Sequence, residues 1–281
     1  MLSFLTTTKA RALVCLASAV LFIGSFTVVF VYFEHHPVPI SAAAPQATAQ
    51  APVAAAQAVP DLDALPDSTT YAKIPAAPPD GNQQAQPSGL VAHPRSRIPV
   101  FAAPGGPAIA ALPTHEVSSD TWVPVVGQQA GWLQVLLPSR PNGSTGWLST
   151  QDSQVDTATS PFLIEVDRST FRLNLYDNGH QTASWTVGVG KPSAPTPSGR
   201  TFVLASIQDS KQTYSPVILP LGIHSTSHET FGGGPGTTGI HTWPTANVFG
   251  TGSSDGCIRV PTDALKKLAA SVPLGTPVLI H

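Results

Sequence analysis

The sequence predicts a mainly β protein, with two β-rich domains in series behind an N-terminal transmembrane helix. Three observations lead there. Phe162–Val166 and Phe171–Tyr176 alternate apolar and polar residues and are joined through Asp177-Asn178-Gly179, a strong hairpin signal because Asn-Gly tolerates the positive φ angles of a type I′ turn. Short strand-like runs punctuated by Gly and Pro fill the region from about Val91 to Asp152. The run Ala12–Phe33 contains no charged residue, and about 22 residues suffice to cross a bilayer core as a helix.

Lys9 and Arg11 precede that apolar run, which places its N-terminal side in the cytoplasm and the remainder outside. Residues 1–36 are thus expected to be a cytoplasmic start and a membrane anchor. The alternative is a signal peptide cut near Ala42–Ala44. Residues 37–90 are rich in Ala, Pro and Gln and poor in aromatics, and are expected to be a disordered linker. Such a linker would reach on the order of 150 Å if fully extended and about 40 Å as a flexible coil. The 29 prolines are too many for one compact fold, and most lie in the first half. The formal charge of -2 supplies no basic stripe, which argues against nucleic acid as a partner.

Residues 91–155 are expected to form a small barrel from Ile98–Phe101, Thr121–Val126, Trp132–Leu136 and Gly146–Leu148. With Arg97-Ile98-Pro99-Val100-Phe101, Gly131-Trp132-Leu133 and Gly146-Trp147-Leu148, this stretch resembles bacterial SH3-like domains. Trp122, Trp132 and Trp147 either line a ligand groove or, as we favour, form the barrel's core. Residues 160–281 are expected to be the second domain. Trp185–Val189, Thr201–Ile207 and Val217–Leu221 continue its strands, a helix capped by Thr262 follows Pro261, and Pro277–Ile280 is the last strand.

The chemistry concentrates between Leu219 and Val260, a Gly- and Ser-rich stretch holding three of the nine histidines. Cys15 lies in the apolar run, so Cys257 is a lone thiol in the folded region. A lone thiol in an exported chain is a candidate nucleophile, the alternative being a small buried hydrophobe. Cys257 follows Ser254-Asp255-Gly256 at a loop-to-strand junction, where Gly256 frees the backbone to turn its N–H groups toward an oxyanion. His241 ends the strand-like Thr238-Gly239-Ile240 and is the best base for the thiol, the alternative being a structural histidine. His224 and His228 with His241 and Cys257 could make a zinc site, although their spacing is generic. Arg259 would bind a carboxylate as a fork or pair with a neighbouring Asp.

Gly239-Ile240-His241, then Ser254-Asp255-Gly256-Cys257-Ile258-Arg259, with Thr196-Pro197-Ser198-Gly199 upstream, resembles the signature of YkuD-type L,D-transpeptidases. Leu219–His224 with Ser225, and the Phe231-Gly232-Gly233 run, add to the likeness. It covers about residues 161–281. The resemblance implies a bacterial cell-envelope enzyme that forms 3→3 cross-links in peptidoglycan through a cysteine thioester on tetrapeptide stems, without metal or cofactor. It implies carbapenems as covalent inhibitors. It assigns Cys257 as nucleophile, His241 as general base and acid, the Thr242 backbone carbonyl as the group orienting His241, and the Gly256 and Cys257 amides as the oxyanion hole. Ser254, Asp255, Arg259 and His224 fall to substrate binding. Two departures stand out: Thr242 replaces the usual Gly after the His, and Asp255 replaces the usual His before the Cys. They motivate an alternative, a weak or inactive wall-binding scaffold.

Overall fold

The computed structural model describes residues 60–208, 212–230 and 233–281. The expected membrane helix Ala12–Phe33 and the first part of the expected linker lie outside them. Among the described residues no helix is long and apolar enough to cross a membrane.

The first half contributes strands β1 (Leu90–Pro94), β2 (Ile98–Phe101), β3 (Ala108–Leu112), β4 (His115–Glu116), β5 (Ser119–Asp120), β6 (Val123–Gln129), β7 (Trp132–Leu136), β8 (Thr145–Ser149) and β9 (Val155–Thr159). Seven of them form one antiparallel sheet in the order β3-β2-β8-β7-β6-β1-β9, while β4 and β5 make a separate hairpin. No pairing joins β3 to β9 among the described residues, so hydrogen bonding does not close the sheet into the small barrel expected from the sequence. Its core is aliphatic: Ile98, Val100, Leu112, Val123, Val125, Leu133, Val135 and Leu148 are buried. Trp122, Trp132 and Trp147 are only half-buried and do not belong to that core, contrary to the favoured reading. Alternation decides this, since in Trp132–Leu136 the inward positions are Leu133 and Val135.

The second half contributes β10 (Phe162–Asp167), β11 (Arg172–Asp177), β12 (His180–Thr186), β13 (Val189–Gly190), β14 (Gly199–Phe202), β15 (Ile218–His224), β16 (Thr237–His241), β17 (Gly252–Ser254), β18 (Ile258–Arg259), helix α1 (Thr262–Ser271) and β19 (Pro277–Ile280). A five-stranded sheet runs β12-β11-β10-β19-β14, and a three-stranded sheet runs β15-β16-β18. The hairpin between β11 and β12 turns through Asn178 and Gly179 with φ of 49° and 79°, as the Asn-Gly signal requires. Helix α1 begins after Pro261, and Thr262 is its first residue rather than a side-chain cap. Asp263 in the first turn accepts the Trp185 indole N–H at 2.9 Å and so ties the helix to β12.

The largest departure concerns the expected linker. Residues 60–89 are packed rather than free. Along the outer edge of β3 the Ser68 amide donates to the Ala111 carbonyl at 2.6 Å and the Ala111 amide donates to the Pro66 carbonyl at 2.9 Å, and the Ile74 amide donates to the Arg140 carbonyl at 2.8 Å. Ile74 is buried in a core that also holds Phe202, Leu204 and Ala205 from the second half. That core therefore crosses the boundary expected between the two domains. We call residues 60–89 the strap. Its strongest polar tie is Asp80, which meets Arg200 of β14 in a two-pronged ion pair at 2.5 and 2.7 Å. The two side chains are 3% and 7% exposed.

A buried pair of this kind is costly to break from one side, because the surviving charge keeps its desolvation penalty. Asp80→Ala is expected to lower unfolding free energy by about 3–5 kcal/mol in a urea titration. Replacing both partners, as in Asp80→Leu with Arg200→Met, is expected to lose much less. A loss below about 1 kcal/mol for Asp80→Ala, the range of exposed pairs, would show that the strap is not held this way.

Candidate active site

Strand β16 pairs in parallel with β18, with Ile240 opposite Ile258 and His241 opposite Arg259. The chain reaches β18 from β16 through a long crossover, as parallel neighbours require. The register brings Gly239 level with Cys257, and the Gly239 backbone amide faces the sulfur. His241 and Cys257 line one cavity of about 190 Å³.

His241 is buried. Its Nδ1 lies 2.6 Å from the Thr242 carbonyl oxygen. A carbonyl only accepts, so Nδ1 carries the proton and Nε2 keeps its lone pair. Burial, with the Arg259 charge adding to it, lowers the His241 pKa below the ordinary imidazole value against the opposing pull of the Thr242 carbonyl. The ring is thus held as a neutral base. Tyr214 packs edge-on against it at 5.0 Å and tilts against Trp243 at 5.7 Å.

Cys257 is half-buried in the cavity wall. Burial raises its thiol pKa. The Gly239 amide and the Arg259 charge act the other way, and Asp255 adds a smaller upward push. A thiol so placed rests protonated and needs a base at the moment of attack.

The turn before Cys257 is built from its own hydrogen bonds. Ser254 donates from Oγ to the Cys257 carbonyl at 2.6 Å and accepts the Gly256 amide at 3.2 Å. Its hydroxyl thus shapes the loop rather than facing the cavity. Gly256, expected to offer its amide to an oxyanion, has that N–H on Ser254 in this conformation. Its φ of +122° explains why glycine stands here. Thr196, noted in the sequence only as part of a turn, bridges the loop from behind. It accepts the Gly190 amide at 2.9 Å and donates to the Gly256 carbonyl at 2.8 Å. Arg168 in turn holds the Thr196 carbonyl at 2.8 Å.

Asp255 turns outward to Lys191 at 2.7 Å, and this partner holds its carboxyl below the usual range. Arg259 has no Asp partner within ion-pair distance among the described residues. It lies over the Trp243 ring at 3.9 Å, and its buried Nε has no partner. Thr242 donates from its hydroxyl to the Tyr214 carbonyl at 2.9 Å, and its amide donates to Ser215 Oγ at 3.0 Å. A glycine here could not make the first of these bonds.

His224 is the clearest correction. It was expected at the substrate, yet it is fully buried and faces the strap. Its Nε2 lies 2.7 Å from the Thr70 carbonyl and 2.9 Å from Thr70 Oγ1. Burial depresses its pKa to about 4, so it is neutral at physiological pH. Asn142 grips the His224 backbone at both N–H and C=O, at 2.9 and 2.7 Å. The zinc alternative loses its geometry with it, since among the described residues no three His, Cys, Asp or Glu side chains gather as a metal site. Sequence reasoning missed Thr70, Tyr71 and Val117, which line the same cavity from the strap and the β4–β5 turn. It also missed Glu116, whose buried carboxylate accepts the Thr70 amide at 2.9 Å and is pushed by burial up to about 7. Nothing local in the sequence marks these residues, because their partners lie far along the chain.

The model of the L,D-transpeptidase catalytic domain family, YkuD, matches residues 161–280. This segment is a YkuD domain. The match takes in β10 through β19 and every residue of the site except those contributed by the first half. No curated protein matches the chain. Among solved structures, the catalytic domain of an Enterococcus faecium L,D-transpeptidase is 27% identical, covering 43% of this chain and 96% of its own, with a TM-score of 0.34. An L,D-transpeptidase from Mycobacterium smegmatis is 14% identical over 53% of this chain and 90% of its own, with a TM-score of 0.37. L,D-transpeptidase 3 from Mycobacterium tuberculosis, solved with a faropenem-derived adduct, is 14% identical over 59% and 76%, with a TM-score of 0.38.

The charges around the YkuD domain's cysteine make a signed prediction. In alkylation of Cys257 followed against pH, Arg259→Gln is expected to move the apparent thiol pKa up, since a cation favouring the thiolate is lost. Asp255→Asn is expected to move it down, since an anion opposing the thiolate is lost. Shifts of opposite sign would show that these side chains do not act on the sulfur through their charge.

Proposed function

We propose that this protein is a peptidoglycan L,D-transpeptidase that forms 3→3 cross-links through a thioester on Cys257. The observation that carries the proposal is the pairing of Cys257 with a neutral His241 in one cavity, inside a YkuD domain. The Thr242 carbonyl fixes the tautomer, so His241 Nε2 is the base that takes the thiol proton.

The sulfur attacks the carbonyl carbon of the third residue of a tetrapeptide stem. A C–S bond forms, and the C–N bond to the terminal D-Ala breaks. The proton held on His241 passes to the departing amine. An amine of a neighbouring stem then attacks the thioester, a new amide forms, and the sulfur leaves and recovers its proton. The Cys257 amide, at the mouth of β18, is the donor offered to the oxyanion, and Gly256 joins it if Ser254 releases its N–H. Arg259, with its free Nε and no carboxylate partner, is suited to the terminal carboxylate of the stem. Asp255 is held by Lys191 and shapes the rim rather than the chemistry. No metal or cofactor enters any step. Carbapenems would acylate the same sulfur. The catalytic domain works at the extracytoplasmic side of the envelope, anchored through the N-terminal apolar run.

Incubation of the full chain with a disaccharide-tetrapeptide, followed by mass analysis, is expected to give free D-Ala and 3→3 dimers. Cys257→Ala is expected to abolish both products while the melting temperature is kept. Cross-linking by purified Cys257→Ala protein would sink the proposal. So would the lack of a covalent meropenem adduct on Cys257 in the wild-type chain.

A further inference from the structure

Among the described residues, two large apolar side chains stand exposed: Tyr71 at 67% and Trp243 at 36%. One stands in the cavity that holds Cys257 and the other beside it. Tyr71 lines it directly, and Trp243 packs on Tyr214, which lines it as well. An exposed aromatic ring in the wall of a cleft offers a ligand a large apolar surface, and such rings are enriched among residues that dominate binding.

Tyr71 does not come from the YkuD domain. It comes from the strap, and the backbone that carries it is fixed. The residue before it, Thr70, is buried and held at every polar group. Its amide donates to Glu116, its carbonyl accepts from His224 Nε2, and its hydroxyl meets Thr237 Oγ1 at 2.6 Å. On the other side, the Ala72 carbonyl accepts the Arg140 amide at 2.9 Å. Four separate elements thus immobilise the backbone on both sides of one exposed ring. A ring held in this way loses little conformational freedom when a ligand lies on it.

The remaining wall of the cavity is largely apolar, with Val117, Ile207, Ile218 and Pro235 beside the reactive pair. Such a lining suits the aliphatic body of a peptide better than a polar or charged group. We infer that Tyr71 is a specificity-determining residue of the strap, whose ring forms the outer wall against which the acyl-donor peptide stem lies as its carbonyl reaches Cys257. This rests on the transpeptidase reading and deepens it: the stem is recognised in part by a segment outside the catalytic domain.

The test uses the full chain. Tyr71→Ala is expected to raise KM for the disaccharide-tetrapeptide about tenfold and to change kcat by less than about threefold, the signature of lost binding that is uniform along the reaction. Tyr71→Phe, which keeps the ring, is expected to stay within about twofold of wild type. A second measurement does not depend on turnover. Isothermal titration of the tetrapeptide into Cys257→Ala protein, with and without Tyr71→Ala, is expected to show about tenfold weaker binding without the ring. Equal affinities, or no binding by either protein, overturn the role of Tyr71 and leave the transpeptidase reading to its own test. If the wild-type chain fails to turn over the stem, the transpeptidase reading falls, and the titration pair still decides whether Tyr71 binds it.

Discussion

The short parallel pairing of β16 with β18 is the constraint on which the site depends. Two residue pairs, Ile240 with Ile258 and His241 with Arg259, fix where His241 stands relative to Cys257. Both isoleucines are fully buried in the core of the second half, so the register is set by packing and not by the loops. A slip of β16 by one residue would turn Ile240 out of that core and carry His241 to the opposite face. The catalytic geometry is thereby insured by hydrophobic burial. The loop that precedes Cys257 needs only to deliver its last turn correctly, and Ser254 and Thr196 see to that by binding backbone groups on either side of Gly256.

A second constraint reaches the cavity from outside the YkuD domain. Thr70 and His224 meet in a buried polar cluster that also takes in Thr237 and Glu116. Thr237 opens β16, the strand that ends at His241. The strap therefore touches the same strand that carries the base, at its other end. Asp80 with Arg200, and Arg140 with the carbonyls of Ser225, His228 and Pro235, add ties between the first half and the loops around the cavity. Through these contacts the first half supplies part of the cavity wall and shares a core with residues of the second half.

That His241 and Cys257 come together at one cavity was legible in the sequence because its signals are local. His241 and Cys257 each stand at a strand end in a Gly-rich stretch, and the hairpin at Asn178-Gly179 declared itself through two residues. The strap was not legible, and composition misled. The Ala, Pro and Gln content of residues 37–90 averages a stretch that changes character near Pro60, where Leu62, Leu65, Tyr71 and Ile74 begin to supply apolar groups. Even read more finely, nothing in that stretch says that Asp80 will meet Arg200, 120 positions away. His224 was misplaced for a related reason. A histidine near a catalytic motif reads as a ligand or a substrate contact, and only the fold reveals a buried partner such as Thr70.

The two departures from the usual signature become coherent once the side chains are placed. Thr242 offers its carbonyl to His241 Nδ1, as any residue at that position can, and adds a hydroxyl that donates to the Tyr214 carbonyl. Trp243 then takes the face of Arg259, which leaves that guanidinium close enough to favour the thiolate and to lower the imidazole pKa. Asp255 would oppose the first of these effects, but Lys191 binds it at 2.7 Å on the exposed rim, where solvent screens both charges. Its upward push on the sulfur is accordingly smaller than the downward pull of Arg259. Around Cys257 the nearby charges therefore lean toward the thiolate against the upward push of burial, and Asp255 is spent mainly on the exposed rim.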